Sequence, residues 1–174
     1  MVKKIFFLIF SFVNLFNFHF KIRIIGNIFD KIRMKLLVLS GAKIGKNSVI
    51  HAGVFILNPN NLIIKENSSI GSDSKIFNYG KFIIGNNVDI GTDFYLNTNN
   101  HNFSDISYPI SKQGGYQTDV EIKDDVWIGA RVTILAKSNI ESRVVLAAGT
   151  IVCSKLEAGN LYAGIPARKI KSIN

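Results

Sequence analysis

Histidine is scarce in this chain, and one of its three copies, His101, stands in the asparagine-rich run Asn97-Thr98-Asn99-Asn100-His101-Asn102. An imidazole has an ordinary pKa of about 6.5, so near neutral pH it can take a proton from a group that is becoming a nucleophile. Taken alone, such a histidine reads as a solvated turn residue rather than as a base. Its setting singles it out, because the segment from Asn97 to Gln117 interrupts a chain that otherwise counts in sixes, and function concentrates on loops held by a rigid frame. Asn99, Asn100 and Asn102 could orient the ring or a substrate. His51, in the second position of a hexapeptide, is expected to face outward at a corner, and His19 lies in an apolar N-terminal arm. Three histidines so dispersed do not gather around one metal with an open coordination position, and no metal is expected. The single cysteine, Cys153, excludes an internal disulfide framework and suits a reducing, cytoplasmic compartment.

The frame that must hold His101 begins at Ile44. An aliphatic residue recurs every six positions, at Ile44, Ile50 and Ile56, at Ile64, Ile70 and Ile76, and at Ile84, Ile90 and Leu96. After the interruption the count resumes at Ile122, Ile128, Ile134, Ile140, Leu146 and Val152. A period of six is neither helical nor that of a simple strand, so it describes a larger unit: short strands joined by tight turns, three to a coil. Stacked coils hydrogen-bond as parallel sheets and bury a continuous apolar stripe that no single coil could bury. Gly, Asn and Asp after the strands are expected to take the positive φ values of turns. Two-residue insertions near Asn58-Pro59 and Tyr79-Gly80 read as loosened corners, and the longer piece, residues 97–121, must leave the frame as a loop.

Residues 1–40 form a separate arm, expected to be helical, ahead of a repeat domain over 41–174 with a C-terminal tail. The net charge of +9 is concentrated there: seven Lys and Arg stand against Asp30 alone, leaving only +3 on the remaining 134 residues. With no nucleic-acid motif present, the basic excess belongs to the arm and nucleic acid is not an expected partner. The apolar run from Ile5 to Phe20 has 16 residues and contains Asn14, Asn17 and His19, whereas a spanning helix needs about 20 mainly apolar residues. Phe18-His19-Phe20-Lys21 offers no small-residue cleavage site, so the arm is expected to be retained. Two roles stay open for residues 1–35: peripheral contact with an anionic membrane face, or a hydrophobic cap on the end of the repeat array.

The segments "NNHNFSD", "DDVWIGARVTIL", "AAGTIV" and "AGIPARKI" occur in that order, and with them the chain from about Leu36 to Ile170 resembles the hexapeptide-repeat acyltransferases, in the branch of galactoside, maltose and capsule O-acetyltransferases. The resemblance implies an all-β fold, a left-handed parallel β-helix of triangular section behind the helical arm. It implies transfer of acetyl directly from acetyl-CoA to a saccharide hydroxyl, with His101 as general base. On the acceptor side it points to Asn78 and Trp127, with Asn99 and with Asp105, which could fix the loop or bind sugar hydroxyls. Toward acetyl-CoA it points to Gly129 and Ala130, with the Ala130 amide at the oxyanion or thioester, then to Ala147, Ala148 and Gly149 as a small-residue lining. Arg168 and Lys171 stand at basic positions for the nucleotide phosphates. The resemblance also points to Lys155 for a phosphate contact with acetyl-CoA, although the chain departs from the family pattern there: Cys153-Ser154 stands where a Thr-Lys pair is common, and the lysine comes one place later.

The resemblance further implies a homotrimer, because in relatives the groove of one subunit supplies half of each donor site. A surface glycan, capsule or O-antigen precursor is the expected acceptor, and the basic apolar arm favours a membrane-adjacent one. Two rivals remain: an N-acetyltransferase on an amino-sugar nucleotide, and a non-catalytic trimeric scaffold of polysaccharide assembly.

Overall fold

The computed structural model describes residues 2–15 and 23–173. His19 and the centre of the arm lie outside them. From Lys43 onward the chain winds as a solenoid β-helix in which each complete coil contributes one short strand to each of three sheets. Sheet A stacks Lys43–Ile44, Leu62–Ile64, Phe82–Ile84, Val120–Ile122, Asn139–Ile140 and Lys155–Leu156. Sheet B stacks Val49–Ile50, Ser69–Ile70, Asp89–Ile90, Trp127–Ile128, Val145–Leu146 and Asn160–Ala163, and ends on the antiparallel strand Arg168–Ser172. Sheet C stacks Phe55–Ile56, Lys75–Phe77, Tyr95–Asn97, Thr133–Leu135 and Ile151–Val152.

The register follows the six-residue count. Ile64, Ile84, Ile122 and Ile140 stand over one another in sheet A. Ile70, Ile90, Ile128 and Leu146 do so in sheet B, and Ile76, Leu96, Ile134 and Val152 in sheet C. All are buried, and Phe82 and Phe94 stack inside with ring centroids 6.1 Å apart. These columns are the core, and they lock the phase, since a slip of one residue would turn every apolar side chain outward.

The turns correct one expectation. The residues with positive φ include Asn67, Asn87, Asp93 and Asp125, but also Arg131, Lys137 and Arg143. The glycine that opens a turn serves instead for close approach between coils: a Cβ on Gly129 would lie 2.7 Å from the Ala148 nitrogen, and one on Gly91 would lie 2.7 Å from the Ala130 nitrogen. The two arginines find carboxylates on the neighbouring coil, Arg131 with Asp93 at 3.5 Å and Arg143 with Asp125 at 3.4 Å.

The arm forms two helices, α1 (Val2–Leu15) and α2 (Arg23–Leu39), packed on each other and on the first coil. Phe10 of α1 and Leu37 of α2 are fully buried in the same apolar cluster as the coils, with Phe7, Met34 and Leu36 against its edge. The arm therefore covers the open end of the solenoid, where an uncovered coil would expose its core. Arg33 is buried beside Asp30, its ion-pair partner one helical turn away.

Candidate active site

The interruption is more ordered than its composition suggests. Asn99–His101 and Gly115–Gln117 pair as an antiparallel ribbon, with His101 opposite Gly115 and Asn100 opposite Tyr116. The ribbon leaves the frame between sheet C and sheet A, after Tyr95–Asn97 and before Val120–Ile122. Its base is fastened at three points. The Gly80 amide donates to the buried Thr98 hydroxyl at 2.9 Å, the Thr118 amide donates to the Thr98 carbonyl at 3.0 Å, and the Lys137 amide donates to the Thr118 hydroxyl at 2.8 Å. The Lys137 ammonium sits 4.4 Å over the Tyr116 ring, a cation–π contact that ties ribbon to frame. Thr98, Tyr116, Thr118 and Lys137 were not among the sequence-derived candidates, and only the positive φ of Lys137 marks it as unusual.

His101 is exposed on this ribbon, and its backbone amide donates to the Asn100 side-chain oxygen at 2.9 Å. Among the described residues its imidazole has no hydrogen-bond partner, which leaves both ring nitrogens open to a ligand. Asn100 also donates from its side chain to the Tyr116 hydroxyl at 3.2 Å, while Asn99 is half-buried at the ribbon's start. Beyond His101, Asn102, Ser104, Asp105, Tyr108, Lys112 and Gln113 line an open polar cleft of about 380 Å³. Asp105 organises that loop tip. It accepts from the Ser107 hydroxyl and, at 2.9 Å, from the Ser107 amide, and these bonds hold its carboxyl below the ordinary aspartate range. Gln113 clamps the same turn by donating to the Asp105 and Tyr108 carbonyls.

Asn78 departs from its expected place in an acceptor wall. It is fully buried, its side-chain oxygen accepts from the Asn58 amide at 3.0 Å, and its side-chain nitrogen donates to the Asn58 carbonyl at 2.7 Å. Both ends of the amide are spent on holding one coil to the previous one, as a buried polar group requires. Trp127, by contrast, is 59% exposed on the outer face of sheet B, between Asp89 and Val145. It lines an open cleft of about 300 Å³ with Asn87, Asp125, Arg143 and Ile173.

The small residues assigned toward a donor do come together. Gly129 and Ala130 turn from sheet B into sheet C, and Ala147, Ala148 and Gly149 make the same turn one coil later, directly beneath. Among the described residues the amides of Ala130 and Ala148 make no hydrogen bond, so a smooth strip of backbone presents unspent donors. Arg168, exposed, pairs with Ala163 at the close of the next coil, and Lys171 is exposed farther along the same strand. Lys155 does not join them. It lies on sheet A, 3.0 Å from Glu141, which also holds Lys123 at 3.1 Å. Within one chain, sheet C separates this strip from the root of the His101 ribbon. Among the described residues no three His, Cys, Asp or Glu side chains gather around one point.

No protein-family model matches the sequence. The Escherichia coli (strain K12) protein named as a colanic acid biosynthesis acetyltransferase is 30% identical over 139 residues, covering 80% of this chain and 74% of that protein. A Mycobacterium tuberculosis protein named as an acetyltransferase is 30% identical over 103 residues, and the chain spans about a third, 34%, of its length. Among solved structures, a hexapeptide-repeat acetyltransferase from Vibrio cholerae matches with a TM-score of 0.80 at 21% identity, over 99% of this chain and 93% of that one. A galactoside acetyltransferase in complex with coenzyme A matches at 0.78 with 24% identity, over 99% and 82%. At these identities the structural likeness is one of fold.

Proposed function

We propose, from the premise that the chain belongs to the hexapeptide-repeat acetyltransferases, that it moves acetyl from acetyl-CoA to a hydroxyl of a saccharide, with His101 as the general base. The observation that carries this is the pairing of an exposed imidazole, free of partners among the described residues, with a backbone strip whose Ala130 and Ala148 amides are unspent. A sugar hydroxyl is a poor nucleophile at neutral pH. His101 takes its proton as the oxygen attacks the thioester carbonyl, and the carbon–sulfur bond breaks as the tetrahedral centre collapses. The Ala130 amide donates to the oxyanion in between, and the imidazolium returns its proton to the leaving CoA sulfur.

The donor fits the residues present. Small side chains at Gly129, Ala147, Ala148 and Gly149 let an extended pantetheine arm lie against backbone, and Arg168 and Lys171 are exposed for phosphate. Lys155 is already engaged by Glu141, which leaves the phosphates to the other two cations. Trp127, Asn99 and Asp105 remain on the acceptor side, and Asn78 is left out of it.

The same reading takes the coils as left-handed and triangular in section, and the working enzyme as a homotrimer in the cytoplasm. The separation of the His101 ribbon from the small-residue strip by sheet C supports the assembly, because a second copy would bring one chain's ribbon to another's strip. The outer face of sheet C suits contact: Phe55, Phe77 and Tyr95 stack along it with ring centroids 5.3 and 5.5 Å apart.

The test is CoA release from acetyl-CoA in the presence of a panel of saccharides and a parallel panel of amino-sugar nucleotides. Release stimulated by the saccharides is expected. Stimulation by the amino sugars alone would favour N-acetylation, and failure to bind acetyl-CoA in a calorimetric titration would favour a scaffold.

A further inference from the structure

The outward faces of the two arm helices carry more apolar surface than capping the solenoid needs. On α1, Ile5, Leu8 and Ile9 are 50%, 68% and 44% exposed, and their i, i+3, i+4 spacing puts them on one face. On α2, Phe29, Ile32 and Leu39 share a second exposed face. The inward residues Phe10 and Leu37 already fill the cap. Next to α1, an open cleft of about 380 Å³ has Phe7, Leu8, Leu57 and Pro59 along it and Lys3 and Lys4 at its edge. Lys3, Lys4, Lys31 and Lys35 are all exposed, and Asp30, the arm's single carboxylate, is held by Arg33.

We propose that this arm is a docking surface for an anionic phospholipid bilayer, on which the protein lies with the apolar faces of α1 and α2 at the acyl boundary and the lysines among the headgroups. Charge selects the occupant. A second copy of the chain would bring another arm of net charge +6 against this one, whereas anionic headgroups complement it. Length selects the mode. The apolar run from Ile5 to Phe20 has 16 residues and contains Asn14, Asn17 and His19, against the roughly 20 mainly apolar residues that a span needs, and no described helix is long and apolar enough to cross a membrane. Docking at the surface is therefore the arrangement open to these helices. This inference does not depend on the reaction assigned to the ribbon.

Co-flotation of the full chain with vesicles tests it. Phosphatidylcholine vesicles containing phosphatidylglycerol should carry the protein, and phosphatidylcholine alone should carry far less. Lys3→Gln with Lys4→Gln should weaken binding by about fivefold per lysine. Leu8→Ser with Ile9→Ser should weaken it further, while light scattering and thermal melting show the same assembly and the same fold as wild type. Flotation with neither vesicle, equal flotation with both, or a loss of assembled mass in the Leu8→Ser, Ile9→Ser protein would overturn the proposal. The last result would assign the face to a second copy of the chain.

Discussion

His101 owes its place to residues that do no chemistry. Thr98 roots the ribbon, and its hydroxyl is the acceptor for the Gly80 amide. Thr98→Val keeps the shape and removes the acceptor, and an unpaired part-buried amide costs about 1 kcal/mol or somewhat more. Thermal melting should show that loss, and acetyl transfer should fall beyond it because the ribbon's root loosens. His101→Ala should leave the melting temperature unchanged, since the side chain is exposed, and lower the rate of acetyl transfer by roughly 10²- to 10⁴-fold. Calorimetry should find acetyl-CoA binding retained in that variant. That His101 stands on a segment outside the frame was legible in the sequence, because that segment breaks the six-residue count. The burial of Asn78 was not, since an asparagine that bridges two coils and one that binds a sugar have the same neighbours in sequence. Only the hydrogen bonds to Asn58 separate the two.

At the scale of elements, the count of six was legible because one inward position per strand must be aliphatic, and the registers of sheets A, B and C repeat it coil by coil. The ribbon was not. Asn99–His101 and Gly115–Gln117 contain no aliphatic residue and no alternation to mark a strand, and their base is fastened at Thr98 and Thr118. Arg131 and Arg143 at positive φ were equally hidden, because their turns are held to the neighbouring coil by backbone bonds, the Arg131 amide donating to the Thr92 carbonyl and the Arg143 amide to the Asp124 carbonyl, and this overrides local preference. The late coils are also linked through Glu141. Its carboxyl is held below the ordinary glutamate value of 4.5, first by the hydrogen bond from Lys155 and then by that from Lys123. A depressed carboxylate stabilises the fold above its unfolded pKa, and that contribution is lost as pH falls through the folded value. Wild type should therefore lose more melting temperature than Glu141→Gln between neutral pH and the acid side of 4.5, and the two curves should converge once Glu141 is protonated. Beneath the ribbon, Leu96→Ala should destabilise by about 2–5 kcal/mol, as a cavity in a closed column does.

For the whole molecule, the arm closes one end of the solenoid while sheet C, with its aromatic outer face, divides the two halves of the candidate site. A site divided in this way predicts complementation between chains. Let one chain carry His101→Ala and another carry Ala148→Arg, which fills the exposed strip without touching the core. Each alone should release little CoA from acetyl-CoA and saccharide. Assemblies formed from the mixture should recover a substantial fraction of wild-type release, because some interfaces then join an intact His101 to an intact strip. A mixture as inactive as its parents, or His101→Ala chains that release CoA at the wild-type rate, would contradict the account.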